Sequence, residues 1–381
     1  GVSALLTSYS YVKLSLVYAD RGGTVRFINE GYGVGVFSGG ANNLLWISYI
    51  IMLSLYASAF GSYAPNLWEI TANKTLNFHL YASSIIIVAT IINYYSAAVV
   101  SKIESIAVII KLTILLGFII VGMYGLTASS HLDQLSPSNW ESPLSLLAGG
   151  MVIFVAYEGF ELIANTVPDI KDPAKNIPRA YYGSVVFVIL LYIIIAGVTV
   201  GSLSFDLIKE AEDYVLAEAA KPVLGQVGFT IITIAALIST FSAINASLYG
   251  GSRVNYEIAE KDELPHQFTY QFWNHPIGLL ITTILTLLMV NTLELESIST
   301  AGSVGFLLVF AIVNSVGFKL SKKTKGNRII PAFACIACLV AMVVMLVQHY
   351  SSNKLDVFIA LGVVALCFLL EFIYKKTEKT K

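Results

Sequence analysis

From Phe154 to Pro178 the chain reads FVAYEGFELIANTVPDIKDPAKNIP, and the first half of this stretch lies inside a long apolar run. Glu158 and Glu161 therefore stand where a membrane-spanning helix would have its middle. A carboxylate at that depth costs about 2.5 to 3.5 kcal/mol, so each needs a partner, a proton or a water-filled cavity. Gly159 between them weakens the helix locally and lets backbone N–H and C=O groups turn toward a ligand. The plainer reading is two acids that snorkel or are neutralised inside a bundle. A second candidate is Lys111 in IAVIIKLTILLGF, a full turn or more from either end of its run. A buried ammonium loses hydration and becomes suited to proton exchange. Its plainer reading is a lysine reaching the surface beside Glu104.

The remaining polar residues say less. Lys13 lies only about two turns from Asp20 and Arg21, so snorkelling to the surface fits it at least as well as a functional role. Asn42, Asn43, Ser299, Thr300 and Ser303 could hydrogen-bond a substrate, although such residues commonly glue helices together. Cys335 and Cys338 form a C-x-x-C within an apolar run, and Cys367 lies in another. Without polar surroundings or further ligands they read as packing and not as a redox or zinc site. His79, His131, His266, His275 and His349 fall at span ends or in loops with no pair at metal-ligand spacing, so no metal is expected. No phosphate-binding Walker loop is present, and neither a cofactor nor ATP hydrolysis is expected.

The elements that must position these groups follow from composition. Of 381 residues, 56% are apolar and only 12% are charged, about half the roughly 25% of a soluble domain. Eleven apolar runs, at 2–19, 33–64, 78–98, 103–126, 145–167, 180–200, 223–250, 277–292, 297–320, 329–348 and 355–374, recur from end to end. About 20 residues at about 1.5 Å each cross a bilayer. The reading is an all-α integral membrane protein forming one polytopic domain over residues 1–381. No polar interval exceeds about 26 residues, too short for an independent soluble enzyme domain of about 50. The net charge of -1 points to no nucleic-acid partner.

Lysine and arginine mark the cytoplasmic side of short loops. With the C-terminal tail inside, alternation of the runs places 17 of the 23 basic residues inside. Only Lys74, Lys209, Lys221 and Lys354 then lie outside. The expected protein is a multi-pass cell-membrane protein with a cytoplasmic C-terminus. The same alternation puts Gly1 outside with no preceding segment to carry it there, so at least one upstream span is expected, for twelve in the intact protein; a cleaved signal peptide is the alternative. The outer loop at 201–222 carries Val215, Leu216 and Ala219 at helical spacing and reads as a short amphipathic helix on the membrane surface.

The A-Y-E-G-F-E core, followed by D-I-K-D-P and N-I-P-R-A, resembles the sixth helix and following loop of the amino acid-polyamine-organocation (APC) superfamily of transporters. YVKL at Tyr11 to Leu14 with RGGTVRFINEGYG is similar to that family's second helix and loop. INYYSAAVVSKIESIAVIIKL, with Asn93 and Lys111, is similar to its fourth and fifth helices, and Ser252 through Pro265 to the end of its eighth. Pro168 and Lys13 depart from the pattern at positions where relatives usually carry acids. The resemblance implies a LeuT-type fold of two inverted five-helix repeats and two extra helices, here without the family's first helix. It implies a substrate site at Phe154, Ala156, Tyr157, Glu158 and Gly159, where half-helix N-termini meet an α-carboxylate and exposed carbonyls an α-ammonium. It further implies that Lys111 stands in for a sodium ion, with Ser239, Thr240 and Ser242 as its partners on the eighth helix. The expected function is secondary active transport of amino acids by alternating access, with proton coupling or exchange, and no enzyme activity. A polyamine or other organic cation is the alternative cargo, and a channel or receptor-like protein the alternative of another class.

Overall fold

The computed structural model describes the backbone of residues 1–95, 97–264, 271–272 and 275–378, and the side chains of these except at 97–103, 212, 253, 271–272, 275–276 and 378. Pro265, His266, Lys379 and Lys381 lie outside the described residues, as do the side chains of Lys102, Arg253 and His275. The helices are α1 (Val2–Ser15), α2 (Thr24–Tyr32), α3 (Val36–Tyr63), α4 (Lys74–Tyr95), α5 (Ala97–Leu126), α6 (Pro143–Val152) and α7 (Pro173–Ser202). They continue as α8 (Phe205–Ala211), α9 (Val215–Glu218), α10 (Lys221–Glu260), α11 (Ile277–Thr292), α12 (Leu295–Lys319), α13 (Ile329–Ser352) and α14 (Lys354–Glu378). A two-residue antiparallel pair, β1 (Gln271–Phe272) and β2 (His275–Pro276), sets Gln271 opposite Pro276 before α11.

Among the described residues nine helical segments are long and apolar enough to cross a membrane. The first and eighth apolar runs fold as shorter helices, 14 residues in α1 and 16 in α11. Two spans form the centre. The apolar stretches of α3 and α12 are 72% and 83% buried in the protein, against 17% for those of α5 and α7 and 22% for that of α14. A helix apolar on every side whose outer face stays uncovered is one that meets lipid. The close approach of α3 and α12 depends on Gly305, where a Cβ would run into the Ser48 hydroxyl.

Around this pair an aromatic core fills the bundle. Tyr11 of α1 meets the rings of Phe27, Phe160, Tyr181 and Phe310 at centroid distances of 5.6 to 6.0 Å, and its hydroxyl bonds Thr24 Oγ1 at 2.9 Å. Cys338 is buried, within 3.8 Å of Thr7 Oγ1 and 3.9 Å of Asn314 Nδ2, in agreement with a packing role. The 201–222 loop differs from one amphipathic surface helix. It folds as α8, a 3-10 turn and α9, and Ala217, Ala219 and Ala220 are buried against Tyr63, Phe118 and Phe229. Its apolar residues find protein partners there.

Candidate functional site

The 145–167 run does not fold as one helix. Starting from the Ser142 N-cap and Pro143, α6 ends at Val152, and the chain continues as 3-10 turns over Ile153–Tyr157 and again over Phe160–Asp169. The junction is Glu158–Gly159. Glu158 adopts φ -60, ψ 152, and Gly159 has φ 114, a backbone region that disfavours any residue with a Cβ. Nothing lies within 4 Å of where that Cβ would sit, so torsion and not crowding requires the glycine.

A break at this depth survives only if other groups satisfy the freed backbone. On α12, Ser303 Oγ donates to Val152 O at 2.6 Å and accepts from Val155 N at 3.3 Å, and Ser299 Oγ donates to Val152 O at 3.2 Å. From α7, Tyr192 Oη donates to Ala156 O at 2.8 Å. Beyond the break, Glu161 turns back and accepts from Gly159 N at 2.8 Å, so the chain's own carboxylate caps the start of the second half-helix. Two tyrosines of α3 complete the shell. Tyr49 Oη donates to Glu161 Oε1 at 3.1 Å and Tyr56 Oη to Glu158 Oε2 at 3.2 Å. Glu158 and Glu161 face one another, and Glu158 Oε1 is buried without a hydrogen-bond partner.

The five residues assigned to this site from sequence do not share one environment. Phe154 is buried in the core against Phe310 and Tyr157. Ala156 is exposed, while Tyr157, Glu158 and Gly159 are half-buried. Gly1 sits beside this break, where a Cβ on it would approach Tyr157 Oη at 3.2 Å. Tyr49, Tyr56 and Tyr192 escape sequence reading because they come from α3 and α7, far along the chain from the residues they hold. Ser299 and Ser303, which the sequence offers either as substrate ligands or as glue between helices, bond the freed backbone. The signal that marks them as a pair is their spacing, four apart on one helix face.

The second group of residues also assembles. Lys111 Nζ donates to Ser242 Oγ at 3.3 Å, Ser242 Oγ donates to Glu104 Oε2 at 2.6 Å, and Lys111 lies 4.0 Å from Glu104 Oε1. Lys111 thus meets both the α10 serine and the acid about two turns away on its own helix. Ser239 and Thr240 line a small apolar cavity with Lys111, Leu115 and Leu216. The Thr240 hydroxyl is turned back onto Ala236 O at 2.8 Å.

Asn42 and Asn43 fall elsewhere, in a buried network near the lysine-rich ends of the helices. Asn42 Nδ2 donates to Glu263 Oε2 at 2.6 Å and Asn43 Nδ2 to Glu371 Oε2 at 3.1 Å, tying α3 to the loop after α10 and to α14. Burial pushes the Glu263 carboxyl above its ordinary range, against the opposing pull of Asn42 and Asn29. These asparagines join elements together and do not reach the break.

Comparison with known proteins agrees with this architecture. The amino acid permease family model matches residues 1–369. The inner membrane transport protein YbaT of Escherichia coli is 30% identical over 379 residues, covering 99% of this chain and 87% of that protein. The branched-chain amino acid permease BcaP of Lactococcus lactis is 26% identical over 284 residues, 67% of this chain and 58% of that protein. A crystal structure of a point mutant of the Eremococcus coleocola manganese transporter superposes with a TM-score of 0.62 at 12% identity, covering 99% of this chain and 86% of that one, which shows the shared LeuT-type fold.

Proposed function

We propose that this chain, which belongs to the amino acid permease family of the APC superfamily and is a multi-pass membrane transporter and not an enzyme, moves amino acids across the cell membrane by alternating access with its C-terminus in the cytoplasm. The observation that carries the proposal is the interruption at Glu158–Gly159, a stretch of irregular backbone in the middle of an apolar run. Non-helical backbone at membrane depth is tolerated where it is buried in protein or lines a cavity, and discontinuous helices form the substrate sites of many secondary transporters.

In this reading the substrate's α-ammonium meets the carbonyl end of the first half-helix at Ala156 and Tyr157. Its α-carboxylate takes over the Gly159 N–H that Glu161 caps. Binding would therefore release the Glu161 carboxylate toward Tyr49, a local exchange of one carboxylate for another. The Lys111, Ser242 and Glu104 contacts form the coupling group, because they bridge α5 and α10 and change whenever these two helices move against each other. Polyamine or other cationic cargo is a second reading, favoured by the unpartnered Glu158 Oε1, which would hold the additional positive charge.

The test is uptake into proteoliposomes with a panel of radiolabelled amino acids and amines under imposed pH or sodium gradients. Uptake driven by the proton gradient without sodium is expected, and Lys111→Ala is expected to abolish net uptake in protein that remains folded. Sodium-dependent uptake that survives Lys111→Ala would overturn the coupling assignment, and uptake of none of the amino acids but of amines would replace the cargo.

A further inference from the structure

Three helix ends meet at His349. The residue lies in the last turn of α13, and its Nε2 is 3.3 Å from Glu296 Oε1 in the first turn of α12 and 3.3 Å from Asp356 Oδ2 in the first turn of α14. Thr300 Oγ1 is also 3.3 Å from the same nitrogen. One imidazole nitrogen carries at most one proton, and one N–H cannot point at three oxygens. Asp356 is 1% exposed, and its Oδ2, aimed at His349, has no hydrogen-bond donor, while its Oδ1 is held by the Ser297 hydroxyl.

Acids near helix N-termini and a histidine near a C-terminus would by themselves complement the helix dipoles. That accounts for each residue type singly. It does not account for the convergence of all three on a point, nor for a carboxylate oxygen on a fully buried side chain turned toward a nitrogen that cannot serve every neighbour. A cation does account for both. Ligands of a tetrahedral zinc ion at about 2.0 to 2.1 Å lie about 3.3 to 3.4 Å from one another. The two nitrogen-to-oxygen separations match that spacing, and the three ligand atoms all lie within 4.8 Å of one another. Glu296, whose side chain is 58% exposed, can close the remaining gap and offers solvent a route to a fourth position.

We propose that Glu296, His349 and Asp356 form a binding site for a zinc-class divalent cation that ties together the ends of α12, α13 and α14. Ser297 is the orienting group, because it fixes one Asp356 oxygen and leaves the other for the metal. One imidazole and two carboxylates suit a borderline cation and leave the site close to neutral when it is filled. The site stands at the opposite helix ends from the Glu263 network and contains no residue of the proposed substrate site. A structural clamp on the last three helices is its role.

The purified protein, with any affinity tag removed and metal stripped by chelator, is titrated with zinc chloride alone. Retained zinc is measured by mass spectrometry and stability by thermal unfolding. The expected result is saturable binding of one zinc ion with a rise in Tm. His349→Ala and Asp356→Asn should remove the binding, and Glu296→Gln should weaken it by about tenfold or more, a scale that even outer-shell partners reach. Because the Glu296 side chain is exposed, Glu296→Gln keeps the test decisive if either buried variant fails to fold. No saturable zinc, or zinc affinity unchanged in Glu296→Gln, would overturn the proposal. So would stabilisation by mild acid with no response to zinc, which would identify the cluster as an imidazolium ion pair.

Discussion

The broken stretch from Pro143 to Asp169 and the unbroken α12 lie against each other, are both apolar and both carry glycines near their middles, yet one opens and the other continues as a single helix for 25 residues. In α12 the glycines serve proximity. Gly305 lets the Ser48 hydroxyl of α3 fit where a Cβ would be, and Gly302 brings Val155 and Ile51 close. In the broken stretch Gly159 serves conformation, with φ 114 and open space beside it. The regular helix supplies what the irregular one lacks, since Ser299 and Ser303 bond the backbone that α6 leaves unpaired. An interruption in an apolar segment is therefore a property of that segment and its neighbours together.

The strongest way to break this contrast is Gly159→Val. A β-branched residue at φ 114 costs about 1 to 3 kcal/mol in place and favours regular backbone instead. Substrate binding is expected to fall below detection in protein that still elutes as a monodisperse species, and unchanged binding by a radioligand assay would move the site to another helix. Gly305→Leu probes the other kind of glycine. Its side chain must displace Ser48, and about 1 to 3 kcal/mol of stability should be lost, read as a lower Tm, while the protein that remains folded still binds substrate. Should binding vanish with stability intact, the division between a structural α12 and a functional break would be wrong.

Ser303→Ala sharpens the contrast from the supporting side. It removes the 2.6 Å hydroxyl donor to Val152 O and the acceptor 3.3 Å from Val155 N, for a cost of about 1 to 3 kcal/mol. The expected Tm loss is greater than in Ser299→Ala, which removes one bond, and equal losses would mean that the two serines do not share the task as their geometry indicates. The smallest effect is expected from Glu158→Gln. Tyr56 can still donate to the amide oxygen, so alanine binding should change by roughly twofold at most, while arginine or a polyamine would lose a charge partner and bind roughly tenfold more weakly. Equal changes for both ligands, measured by competition against a common radioligand, would remove cationic cargo from consideration.

Much of the architecture was legible in the chain. Among the described residues each apolar run falls mainly on helix, and 277–292 agrees at both ends with α11. The pairing of Lys111 with both Glu104 and Ser242 combines the two partners between which the sequence left a choice. Asn42 and Asn43 were harder, because an asparagine in an apolar run has the same pattern whether it faces a ligand or another helix. Their partners, Glu263 and Glu371, are more than 200 residues away along the chain. The outer loop was read with the right spacing and the wrong environment, since Ala217, Ala219 and Ala220 pack on protein.

Sequence alone determined that the chain lies in a bilayer, because hydrocarbon admits long apolar segments whose backbone is satisfied internally, and length and composition report that directly. It also marked where a helix could open, since glycine between two acids at that depth is a local conflict. Whether it opens depended on Tyr49, Tyr56, Tyr192, Ser299 and Ser303 arriving from three other helices with donors and acceptors in hand. The meeting of Glu296, His349 and Asp356 was likewise decided only in three dimensions. Hydrophobicity acts residue by residue and is written in the order of the chain, whereas a hydrogen bond or a coordination sphere needs two or more atoms brought within about 3 Å.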